Sequence, residues 1–146
     1  MKKPWTTKVI WFVAAGVIAG YLIWWAVPEL LKINEDPRSQ TRLGRMAAEL
    51  NRSAPVMIDQ ETELMPAQGA EGVLIYNYRL VNYSVAQINP AKFAAGAKQR
   101  LRQKACNTAE TRDDFLNKGV TLRYTYYDKD KQHIATVDVT PGDCAG

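Results

Sequence analysis

Residues 9–27 form an unbroken run of apolar and small side chains with no charge, close to the amino end of a 146-residue chain. As a helix the run covers about 28 Å, close to the hydrocarbon thickness of a bilayer. A segment apolar on every face has no polar side to turn to water, so a transmembrane anchor is expected. It exceeds the usual length of a signal-peptide core. Trp24-Trp25-Ala26-Val27-Pro28 also offers no small-x-small cleavage site, so the anchor is expected to stay uncleaved. Trp5, Trp11, Tyr21, Trp24 and Trp25 bracket it as aromatic residues do at the two headgroup levels.

Lys2, Lys3 and Lys8 precede the run without an acidic residue, whereas the charges just after it nearly cancel. The bias puts residues 1–8 in the cytoplasm and the rest of the chain beyond the inner membrane, in the periplasm. The formal net charge is +4, and those three lysines account for most of it. The body is therefore close to neutral, and with no recognition motif nucleic acid is not an expected partner. Gly16 and Gly20 have the GxxxG spacing that lets two spanning helices approach closely, a route to self-association.

Residues 28–36 read as a juxtamembrane linker and 37–146 as one small domain with a single core. Asp36-Pro37 resembles a cap followed by proline at the first helical position, with Leu43, Met46, Ala47 and Leu50 as the apolar stripe. Alternation from Val56 to Leu64 predicts a strand, and Met65 to Gly72 a loop. Val73 to Tyr83 is the strongest strand pattern. Asn89-Pro90 opens a second helix that runs to about Cys106, and Thr108 to Asn117 a short third one closed by Gly119. Val120–Tyr127 and His133–Thr140 complete a hairpin with a polar tip. Short connections within each pair favour antiparallel neighbours. The expected fold is α+β: a four-stranded, mostly antiparallel sheet with its helices on one face.

Cys106 and Cys144 are the only cysteines. They are not spaced as CxxC and are too few for a zinc site, so outside the cytoplasm they are expected to form a structural disulfide. His133 is the one histidine and begins a strand beside a polar turn. No nucleophile elbow, zinc-protease, Walker or dinucleotide motif is present. Asp59, Glu61 and Glu63 alternate along a strand, which suits a solvated edge better than a metal site. The chain is thus read as a non-enzyme without metal or cofactor.

Two features remain for binding. Tyr76 and Tyr78 share one strand face, as do Tyr124 and Tyr126, while Tyr127 points the other way. Tyrosine offers large area with a hydrogen-bonding tip and suits both cores and interfaces. Lys98, Arg100, Arg102 and Lys104 crowd the second helix and suit an acidic partner or anionic headgroups. The expectation is a membrane-anchored protein whose periplasmic domain binds another protein, as an accessory subunit or assembly factor. An immunity protein against a periplasm-acting toxin, or a small-ligand or glycan sensor built on the tyrosines, are the competing readings.

Overall fold

The computed structural model describes residues 35–145. The predicted anchor, with Gly16 and Gly20, lies outside the described residues, and among the described residues no helix is long and apolar enough to cross a membrane. The described residues form an α+β domain with a five-stranded mixed sheet. Helices α1 (Gln40–Leu50), α2 (Pro90–Asn107) and α3 (Ala109–Asp114) accompany strands β1 (Val56–Met57), β2 (Thr62–Ala70), β3 (Val73–Leu80), β4 (Thr121–Tyr127) and β5 (His133–Val139). The spatial order follows the chain, β1-β2-β3-β4-β5. All neighbours are antiparallel except β3 and β4, which run parallel because the helical segment between them crosses over.

The fifth strand comes from a stretch read as one strand followed by a loop. Asp59 accepts from the backbone N–H groups of Glu61 (2.8 Å) and Thr62 (2.7 Å), which folds the chain back on itself. Val56 then pairs with Leu64, and β2 continues to Ala70 through the predicted loop. Pro66 is tolerated because the β2–β3 register shifts between Met65 and Gln68. Asn51, which caps the carboxyl end of α1, stands in for the lost ladder bonds. Its amide donates to the carbonyl of Ala67 (2.9 Å) and accepts from the Ala67 N–H (2.6 Å).

The first helix starts later than Asp36-Pro37 suggests. Ser39 is its cap, accepting from Arg42 N–H at 3.3 Å, and Asp36 closes a preceding turn by accepting from Arg38 N–H at 2.8 Å. Asn89 does cap α2, accepting from Lys92 N–H, with Pro90 at the first position. The predicted third helix stops at Asp114, and a 3-10 turn over Leu116–Lys118 ends on Gly119 at φ +80°.

Both long helices pack on the same face of the sheet. Leu43 and Ala47 of α1 and Ala105 of α2 meet Leu74, Leu122, Tyr124 and Val139 in one buried cluster. A second, smaller cluster joins Leu80, Ile134 and Ala135 to Phe93 and Ala94 of α2. Cys106 and Cys144 form a disulfide with Cα atoms 5.4 Å apart. It ties the 3-10 turn at Pro141–Cys144 to the end of α2, as the sequence predicts.

Candidate binding groove

The parallel register of β3 and β4 places Tyr76 beside Tyr124 and Tyr78 beside Tyr126. The four rings form one layer on the helix-covered face. Ring centroids of Tyr76 and Tyr124 are 5.2 Å apart with nearly parallel planes, and those of Tyr78 and Tyr126 are 5.4 Å apart. Phe93 of α2 meets Tyr126 edge-on at 4.9 Å. Burial pushes the Tyr78 and Tyr124 hydroxyls well above the usual phenol range, with neighbouring tyrosines adding to it. Burial raises Tyr126 too, against the opposing charge of Arg100. The layer is therefore uncharged and stacked against itself, a floor rather than a set of separate ligand platforms.

Beside α2 this floor opens into a groove of about 250 Å³. Tyr78, Tyr126, Phe93, Leu101 and Ile58 supply its main apolar lining, and Arg100, Lys104 and Asp59 its charged lining. Val56, Met57 and Ile58 are 39%, 47% and 52% exposed, so the edge strand beside the groove presents an apolar run to solvent. Sequence reasoning put Val56 and Ile58 together in one strand running to Leu64. The alternation is real, but the Asp59 turn takes Ile58 out of the sheet.

The basic residues of α2 divide by function. Lys98 donates to Asp143 Oδ2 at 2.6 Å and to the Asp138 carbonyl, and Arg102 Nε to the Asp143 carbonyl at 2.7 Å. Lys98, with the hydrogen bonds from Thr140, brings the Asp143 carboxyl down to about 2. This pair clamps the disulfide-linked tail. Arg100 and Lys104 face the groove instead.

Tyr127 lies on the uncovered sheet face, opposite Tyr124 and Tyr126, as alternation predicts; it meets His133 edge-on at 6.1 Å. His133 is exposed, with its Nε2 2.9 Å from the Thr136 hydroxyl. The three alternating carboxylates are dispersed: Asp59 makes the turn, Glu61 accepts from the Tyr83 hydroxyl at 2.8 Å, and Glu63 pairs with Arg79 at 2.8 Å. Among the described residues no group of three acidic, histidine or cysteine side chains is placed to hold a metal ion.

No protein-family model matches the sequence, and comparison with curated proteins finds no significant relative. Solved structures do share the fold. A candidate secreted protein of Pseudomonas aeruginosa superposes with a TM-score of 0.58 at 17% identity, covering 72% of this chain and 95% of that one. The pilotin EpsS of the Vibrio vulnificus type 2 secretion system gives 0.58 at 17% identity over 72% and 90% of the two chains. The type II secretion system pilotin AspS from Vibrio cholerae gives 0.55 at 16% identity over 72% and 91%. The domain is thus similar in fold to these pilotins.

Proposed function

We propose that the protein is a non-enzymatic accessory or assembly factor of the bacterial envelope that binds another protein through the groove between α2 and Ile58. The observation that carries this reading is the exposed run Val56-Met57-Ile58 beside an aromatic-floored groove. Apolar and aromatic surface ringed by charge is the anatomy of a protein interface, and Arg100 and Lys104 against the single carboxylate of Asp59 leave the lining net cationic, which suits an occupant with acidic residues beside an apolar stripe. The likeness in fold to two pilotins favours a secretion system as the setting.

Residues 9–27 would hold the domain at the periplasmic face of the inner membrane, with residues 1–8 in the cytoplasm. Confinement near a membrane-bound partner raises its effective concentration, so modest affinity suffices. The immunity reading fares worse, since Lys98 and Arg102 are engaged by the domain's own tail. The tyrosine-sensor reading needs ring faces free to stack on a ligand, whereas Tyr76, Tyr78 and Tyr124 stack on one another and of the four only Tyr78 and Tyr126 reach the groove.

Deleting the gene and measuring exported protein tests the proposal. Export is expected to fall while intracellular pools of the same proteins hold or rise, with rescue by the wild-type chain and not by Ile58→Asp. Undiminished export in the deletion strain would set the secretion reading aside.

A further inference from the structure

The sheet face away from the helices carries a second site, independent of the groove. A pocket of about 500 Å³ crosses β2, β3 and β4, with Met65, Ile75 and Tyr127 as apolar lining and Arg79, Arg123 and Lys131 around them. No carboxylate lines it. Glu63 and Asp138 hold the two arginines from the side: Arg79 Nε donates to Glu63 at 2.8 Å, and Arg123 gives Asp138 two bonds of 2.8 Å. A guanidinium has five N–H donors, so both retain donors beyond those bonds. Lys131 makes no ion pair among the described residues.

The backbone of Lys131 is itself informative. Its φ is +64°, the left-handed region where a residue with a Cβ is strained by about 1 kcal/mol. The turn does not need a lysine there. Asp128 fixes it by accepting from the N–H groups of Asp130 and Gln132, each at 2.8 Å, and the Lys131 N–H bonds the Asp128 carbonyl at 3.0 Å. Glycine would satisfy every one of these bonds, yet the chain places a cation at the edge of an apolar pocket.

We infer that this pocket binds a short apolar segment of a partner protein bearing one carboxylate, with Lys131 as the anion contact. Two of the three cations are already neutralised, which leaves charge for one anion. The volume suits a few residues of peptide. Gln68, Asn77 and Thr125 also line it and supply donors and acceptors that a peptide main chain uses and an acyl chain does not. The Asn77 amide N–H₂ is directed to the Pro66 carbonyl at 2.8 Å, which leaves its oxygen as an acceptor.

The test is methyl NMR on the full-length chain in nanodiscs, titrated with three peptides. They are N-acetyl-Leu-Val-Leu with a free carboxylate, the same peptide as its terminal amide, and N-acetyl-Leu-Glu-Leu amide. The Ile75 and Met65 methyl signals are expected to shift saturably with a carboxylate-bearing peptide, and about tenfold more weakly with the uncharged amide. Response to the free carboxylate alone assigns a chain terminus as the occupant, and response to the glutamyl peptide an internal side chain. Lys131→Gly relieves the backbone strain, so it should unfold no earlier than wild type while binding about tenfold more weakly. Equal response to carboxylate and amide, no saturable response to any of the three, or wild-type binding by Lys131→Gly would overturn the assignment.

Discussion

Gly69→Ala is the sharpest test of how α1 seats on the sheet. A Cβ at position 69 would lie 2.2 Å from the Leu43 carbonyl carbon, 2.3 Å from Gly44 N and 2.4 Å from the Leu43 oxygen. These are backbone atoms of α1 and cannot swing aside, so the helix must retreat by about 1.5 Å to restore van der Waals distance. Leu43 and Ala47, only 1% and 3% exposed, would then lose close contact with the sheet. Overpacking of this kind costs about 1–3 kcal/mol, and with two backbone segments in collision about 3 kcal/mol is expected. Gly44 and Gly96 supply the contrast, because a Cβ at either meets nothing within 4 Å. In those helix interiors alanine should add about 0.5–1 kcal/mol of stability. Urea unfolding followed by circular dichroism measures all three. Gly69→Ala within about 0.5 kcal/mol of wild type would refute the close seating of α1 on β2.

Other expectations follow from the tail and the anchor. Replacing both Cys106 and Cys144 by serine removes a cross-link spanning 38 residues, worth about 4 kcal/mol in the chain-entropy description. The unfolding midpoint should fall on the order of 15 °C, and an unchanged midpoint would contradict a stabilising role. The Asp143 carboxyl is held at about 2, below its unfolded value of 3.8, with Lys98 as the main cause. Its contribution is therefore present above pH 3.8 and lost as pH falls towards 2, about 1–2 kcal/mol after allowance for solvent screening. Asp143→Asn should flatten that part of the stability–pH curve, and an unaltered curve would discount the pair. A periplasm-dependent reporter fused after Gly146 is expected to be active, and activity of a cytoplasm-dependent one would overturn the proposed topology.

What could be read from the sequence was mostly local. Asn89-Pro90 capped α2 as expected because cap, proline and stripe all lie within one turn. The similar Asp36-Pro37 misled. The Arg38 carbonyl accepts from the Gly72 N–H at 2.7 Å, so this stretch is held by a strand turn and Ser39 takes the cap. Pro66 and Gly69 read as loop residues, yet they sit in β2. Pro66 falls at the register shift, and Gly69 is needed for the approach of α1, a contact with a residue far away in the chain. The tyrosine faces followed from alternation, and the opposite placing of Tyr127 with them. Their stacking required the parallel pairing of β3 and β4, which no local pattern encodes. The groove was invisible for the same reason, since Ile58 and Leu101 come together only through the sheet and α2.

Site-specific photocrosslinking in living cells tests the central claim most directly, with a photoreactive amino acid at Ile58 in the groove and at exposed Glu110 on α3 as control. A single discrete protein adduct from position 58 and none from 110 is the result expected of a domain that binds a protein partner through this groove. No adduct from position 58, or the same adducts from both positions, would contradict it.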